Sequence, residues 1–341
     1  MSLLPWQTVQ WQQLVERRRQ GKLPHAILLC GPAGIGKHQF AEHFSASLLC
    51  NKPSDDGSAC GQCRSCLLLQ SGNHPDMVRI EPEEAGKAIK VEQVRSLSNF
   101  TVLSAHVVDG YKVVLLDPAE NMNQAAANSL LKTLEEPAKN TILLLLTSHP
   151  QSLLATIRSR CQRLDFINPD HNTASAWLQS QQVSQAEQWL EIASGAPLEA
   201  LQLSNSVEKE DKDIAKHYAT GLDTLEALLT RQQDPLSVAS AWQKTNSLRV
   251  VGWLTNWVMD IIRLASLATS ANSEQKPPYM ACPSQLSRLN GLAAQLDLDG
   301  LHGYLERLYE TSRLLGTTQA NQQLLLEEIL IRWTVLPKNR L

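Results

Sequence analysis

Residues Gly31 to Lys37 read Gly-Pro-Ala-Gly-Ile-Gly-Lys and are followed by His38. A glycine-rich loop that closes on a lysine presents backbone N–H groups and an ammonium to phosphate oxygens. In the full pattern, Gly-x-x-x-x-Gly-Lys-[Ser/Thr], the eighth residue adds a hydroxyl that ligates Mg²⁺. Imidazole is a poor ligand for such a hard, oxygen-seeking cation. The loop therefore reads as a nucleotide-binding element, with Gly31, Gly34, Gly36 and Lys37 facing phosphates, whose hydrolytic equipment has been altered. ATP or ADP can be held; hydrolysis is not expected. An ordinary glycine turn is the bland alternative.

A second constellation follows. Cys50, Cys60, Cys63 and Cys66 are spaced C-x9-C-x2-C-x2-C. A two-residue gap lets two thiolates reach one tetrahedral metal from a tight turn, and four thiolates close the coordination shell. The stretch between Cys50 and Cys60 is polar and turn-forming, the kind of loop that gains order from a metal. Ligand count and spacing favour structural zinc. An iron–sulfur cluster, a redox pair and incidental thiols are the alternatives.

The elements around these residues fit a layered α/β domain. Ala26–Cys30 is a short apolar run before the glycine loop, and Phe40, Phe44 and Leu48 recur at helical spacing after it. Further strands are expected at 76–81, 112–117, 141–147 and 163–166, with helices over 91–100 and 123–136 and a short helical passage at 153–161. Strands alternating with helices predict a parallel sheet. Asp117, ending a buried strand, stands where a magnesium-site carboxylate belongs. Beyond residue 170 the pattern is helical, with a polar stretch at 205–213 and a proline loop at 273–279. Trp242, Trp253 and Trp257 read as core. The chain has 341 residues and a net charge of −3, with no basic stripe of the kind a free-standing DNA-binding protein carries. No apolar run is long enough to span a membrane, and the N-terminal residues lack a signal-peptide pattern. A cytoplasmic protein with reduced thiols is expected.

The segment Ala127-Asn-Ser-Leu-Leu-Lys-Thr-Leu-Glu-Glu-Pro137, followed by Ser159-Arg160-Cys161, is more specific than the glycine loop. It resembles the clamp-loader branch of the AAA+ ATPases, from Leu23 to about Phe166. The resemblance implies a P-loop AAA+ domain at 1–167 carrying the zinc module at 50–66, a helical lid at 168–207 and a helical collar for oligomerisation at 208–341. It implies that Lys37 faces the nucleotide phosphates, that Asp117 is the magnesium-site residue, that Thr147 is the sensor-1 residue, and that Arg160 is an arginine finger reaching a neighbour's ATP. Its partners would be other clamp-loader subunits, both ATPase motors and the clamp-opening subunit, together with the sliding clamp and primed DNA. No membrane partner is implied.

Three positions depart from hydrolysing members of that branch. His38 replaces the magnesium hydroxyl. Pro118 stands where the water-polarising Glu follows the Asp, and Glu120 is not expected to reach the same point. Ser194–Leu198 lacks the lid arginine. The resemblance therefore implies a subunit that does not hydrolyse ATP itself. An active motor of the same fold is one alternative. A zinc-dependent DNA-binding protein with a decayed P-loop is another, weakened by the lack of a basic, aromatic-rich surface signal.

Overall fold

The computed structural model describes residues 3–84, 87–102, 110–206, 209–243, 245–269, 280–317 and 320–336. The chain packs as two compact units, 1–173 and 174–341.

The first unit is built on five parallel strands: β1 (Ala26–Cys30), β2 (Met77–Ile80), β3 (Lys112–Leu116), β4 (Thr141–Thr147) and β5 (Gln162–Asp165), in the order β2-β3-β4-β1-β5. Strands β1, β3 and β4 are buried along their whole length. That is why they read as unbroken apolar runs rather than alternating ones. Alternate residues of a strand serve opposite faces. Leu28, Val114, Leu143 and Leu145 share a core with Val94, Leu97, Leu130 and Ile157. These come from α4 (Val91–Val102), α5 (Gln124–Glu135) and α6 (Ala155–Arg158). An aromatic cluster joins α1 (Thr8–Arg19) to α2 (Lys37–Leu49): Trp11 lies edge-on to Phe40 and Phe44, and Phe40 meets Phe166 at 4.9 Å between centroids. Asn123 caps α5 by accepting from the Ala126 N–H at 2.8 Å. Pro137 lies beyond its C-terminus, where it cannot continue a helix. The cysteine segment ends in α3 (Arg64–Gln70).

With every strand parallel, all the carboxyl ends lie along one edge of the sheet. Ligand crevices in open α/β sheets form there. The glycine loop leaves β1 at that edge, Asp117 leaves β3, and Thr147 closes β4.

The second unit is helical: α8 (Ala186–Ile192), α9 (Pro197–Asn205), α10 (Lys209–Leu229), α11 (Pro235–Trp242), α12 (Ser247–Thr269), α13 (Leu286–Gln295), α14 (Leu298–Thr317) and α15 (Gln322–Trp333). The preceding α7 (His171–Ser180) runs across the division between the units. Helices expected for the lid thus share a unit with those expected for the collar. Within the polar stretch, residues 207 and 208 lie outside the described residues, as does the proline loop at 273–279. Trp242, Trp253 and Trp257 are core residues, joined by Trp333. A buried indole usually finds a partner for its N–H, and two of these do. Trp253 Nε1 donates to Ile192 O at 2.8 Å and Trp333 Nε1 to Leu225 O at 3.0 Å. Two buried carboxylates hold the turn before α13. Glu191 accepts from the Ser284 N–H at 2.8 Å, and Asp260 accepts from the Cys282 N–H, also at 2.8 Å. Trp333→Phe removes the N–H donor to Leu225 O and leaves the space of the indole's second ring unfilled. It should lower unfolding stability by about 1–3 kcal/mol, read from denaturant midpoints with an unchanged m-value.

Candidate nucleotide and metal sites

The glycine loop is folded as a phosphate cradle. Gly34 and Gly36 have φ of 72° and 89°, the left-handed region that only glycine enters freely. Gly31 meets a different demand: a Cβ there would sit 2.3 Å from the Phe166 carbonyl. At the far end of the loop Lys37, buried at the start of α2, donates to Gly31 O at 2.7 Å, Pro32 O at 2.6 Å and Ser148 Oγ at 3.1 Å. Burial pushes its ammonium below the ordinary lysine range, and the carboxylates of Asp117 and Glu120 oppose that shift.

His38 lies beside Asp117, with Nδ1 2.8 Å from Oδ2. The residue after the loop lysine and the carboxylate at the end of β3 are thus in direct contact. The Asp117 carboxylate holds the His38 imidazole above its ordinary pKa, by hydrogen bond first and charge second, against the opposing effect of burial. Pro118 follows directly and leads into the short turn Ala119–Asn121. That turn carries Glu120 back towards the strand ends, where Oε1 accepts from the Ser148 N–H at 2.9 Å. Its other oxygen is buried without a hydrogen-bond partner. Thr147 is buried at the end of β4, and its hydroxyl accepts from the His149 N–H at 3.1 Å. Lys37, His38, Asp117, Glu120 and Ser148 thus form one connected group at the sheet edge, with Thr147 beside it.

Sequence reading passed over Ser148 and undervalued Glu120. It also missed the residues that clasp the loop from outside. Trp6 Nε1 donates to Ile35 O at 2.9 Å, and Gln7 Nε2 donates to Gly36 O at 2.8 Å. Position next to Thr147 is a signal for Ser148. For Trp6 and Gln7 no motif exists.

Arg160 stands apart from this group, at the turn after α6. Its Nη2 pairs with Glu135 Oε1 at 2.6 Å and its Nη1 donates to Thr156 O at 3.0 Å. The side chain is 37% exposed. Neighbouring Cys161 is a half-buried thiol, pushed up to about 12 by desolvation and so held protonated.

The four cysteines converge. Their sulfurs all lie within 4.8 Å of one another, and the closest pairs, Cys50–Cys60 and Cys63–Cys66, are 3.5 Å apart. Cys50–Cys63 and Cys60–Cys66 are 3.9 Å apart. Four sulfurs about 2.3 Å from a tetrahedral zinc stand about 3.8 Å from one another. Burial pushes the Cys50 thiol up, and the N–H groups of Lys52 and Cys60, pointing at its sulfur at 3.4 and 3.3 Å, oppose that shift. The residues fit a metal ion of this kind. The loop between Cys50 and Cys60 also grips α1. Trp11 Nε1 donates to Asp56 O at 3.1 Å, and Arg19 donates to Asp55 O. Helix α1 is therefore tied to the cysteine loop along its length, and the Trp6–Gln7 turn just before it to the glycine loop.

The His38–Asp117 contact gives a test with a definite sign. A histidine raised by its partner adds stability that is fully present below the unfolded value of about 6.5 and is lost as pH rises through the folded value. His38 is 44% exposed, so the gain should stay below about 1 kcal/mol. In an NMR titration the His38 midpoint should lie above 6.5 in the native chain and fall in Asp117→Asn. The stability difference between the two proteins should shrink from pH 6 towards alkaline pH. An unmoved midpoint in Asp117→Asn would mean that this contact does not set the histidine.

Comparison with known proteins bears on both units. The profile of the family described as "DNA polymerase III, delta subunit" matches residues 6–170, and that of its C-terminal part matches residues 212–335. DNA polymerase III subunit delta' of Pseudomonas aeruginosa is 36% identical over 340 residues, covering 98% of each chain. The Yersinia pestis protein of the same name is 33% identical over 98% of this chain and 96% of its own. That of Escherichia coli is 29% identical over 97% of this chain and 95% of its own. With similarity of this depth running through both units, the chain belongs to the delta' subunit family of DNA polymerase III.

Proposed function

We propose that this chain is a non-hydrolysing, stator-like subunit of the polymerase III clamp loader, which helps load the sliding clamp onto primed DNA and lends Arg160 to the ATP site of a neighbouring subunit. The observation that carries the reading is the 2.8 Å contact between His38 and Asp117. Phosphoryl transfer depends on positioning and charge stabilisation, with Mg²⁺ bridging the phosphates. The His38 imidazole offers no oxygen to the ion, and it engages the Asp117 carboxylate that would hold it. Pro118 removes the adjacent carboxylate from the place where it would polarise water. The glycine loop itself is intact, so binding of ATP or ADP belongs to the proposal while turnover does not.

Arg160 supports the outward half. Its pairing with Glu135 is a partly exposed surface contact, worth roughly 0–1 kcal/mol. A phosphate offers charge-assisted, forked hydrogen bonds that are stronger. The guanidinium can therefore exchange its own carboxylate for a partner's nucleotide at little cost. The partners in this reading are the ATPase motor subunits and the clamp-opening subunit.

One observation favours a second reading, an active motor. Glu120 does approach the glycine loop, and its unpartnered oxygen could hold a water. Steady-state ATPase measurements on the chain alone and on the reconstituted complex separate the two. In the stator reading the isolated chain shows no turnover. Arg160→Ala then lowers ATPase of the complex by ten-fold or more, since such fingers are worth up to ~10³–10⁵ in rate, and Lys37→Ala changes it much less. The opposite ranking would make this chain the motor.

The same proposal includes one zinc ion per chain held by Cys50, Cys60, Cys63 and Cys66, as a structural closure of the loop. A shell of four thiolates leaves no position for substrate. Metal analysis of freshly purified, reduced protein should find about one zinc, and Cys63→Ser should lose it while the sheet stays folded. Protein that is folded, reduced and free of metal would remove zinc from the assignment.

A further inference from the structure

Beneath the cysteine loop lies a small buried polar chain that neither nucleotide nor metal chemistry uses directly. The Ser65 hydroxyl lies 2.5 Å from Leu49 O and 2.8 Å from His74 Nε2. His74 Nδ1 receives the backbone N–H of Asp76 at 3.1 Å. Ser65 is 5% and His74 9% exposed.

The proton count fixes the roles. A backbone N–H can only donate, so His74 Nδ1 carries no proton and Nε2 does. A carbonyl can only accept, so the single Ser65 proton goes to Leu49 O. Ser65 Oγ then accepts from His74 Nε2–H. Each bond in the chain has one donor and one acceptor, and the imidazole is neutral.

The placement of this chain gives it a use. Leu49 is the residue before Cys50, at the end of α2, and Ser65 is the residue before Cys66, in the first turn of α3. His74 and Asp76 lead into β2. One hydroxyl therefore fastens the backbone beside two of the four sulfurs to each other, and the histidine fastens that hydroxyl to the sheet. We propose that Ser65 and His74 are positioning residues for the four-cysteine site, setting the separation of Cys50 from Cys66 before a metal arrives. The proposal rests on the zinc reading above. Groups that orient metal ligands from outside the coordination shell typically change affinity about 10–100-fold when removed. Without the Ser65 bridge, the two arms of the site must be brought together by the metal alone.

The test uses the full-length chain and zinc itself, competed against a chromophoric chelator, with melting temperatures recorded for metal-free and zinc-loaded protein. Ser65→Ala and His74→Ala should weaken zinc retention about 10–100-fold. They should reduce the zinc-dependent rise in melting temperature more than they lower the metal-free value. Ser65→Thr, which keeps the hydroxyl, should retain zinc close to the native level. His74→Gln, which can still donate to Ser65, should fall between native and His74→Ala. Native affinity in folded Ser65→Ala would overturn the proposal. So would equal melting losses with and without metal, which a purely packing role produces. If the native chain itself takes up no zinc, the metal reading fails first and this inference fails with it. Native zinc uptake that is unchanged in the variants overturns this inference alone.

Discussion

The fold depends on the hydrogen bonding of one strand. β1 pairs with β4 on one side and β5 on the other, and is buried on both faces. It has no edge and no solvent face, so its register is set from four directions at once. The glycine loop inherits that fixity. Gly31 donates to Thr147 O at 3.3 Å, and Phe166 donates to Cys30 O at 2.7 Å, so both neighbouring strands are stitched to the residues that launch the loop. The absence of a Cβ at Gly31 is what lets the Phe166 carbonyl come so close. Parallel pairing then aligns the ends of β3 and β4 beside β1, and residues far apart in sequence meet without further instruction.

Much of this was legible in the residues. Ala26–Cys30 and Thr141–Thr147 form the strands that their apolar runs predict, because a doubly covered strand has no polar positions to blur its ends. The helix after the glycine loop, the helix that stops before Pro137 and the buried tryptophans of the second unit followed from spacing and chemistry of the same kind. Where the pattern was short or mixed, reading was coarser. The helical passage expected over 153–161 is only four residues long, since Leu154 is extended and the segment before it forms a tight turn after Pro150. Helix α3 was hidden within a segment read for its cysteines.

The candidate sites were legible in their motifs and opaque in their supports. Spacing alone marked the four cysteines and the phosphate loop. Nothing marked Ser65, His74, Trp6 or Gln7, because each acts through one or two bonds to backbone groups or to another side chain, and such bonds leave no periodic trace. Glu120 was set aside on linear distance from Asp117. Its carboxylate accepts from the Ser148 N–H, a bond that spacing does not show. In each case the missing information was three-dimensional: a partner nine or more residues away in the chain.

The bonding of Lys37 sets what an incoming anion could gain at the loop. An ammonium has three protons to donate. Here two loop carbonyls and the Ser148 hydroxyl take them. The buried cation is thus fully solvated by its own protein. An anion arriving at this ammonium would exchange partners rather than supply missing ones, so the gain at the lysine is only the difference between phosphate and the present acceptors.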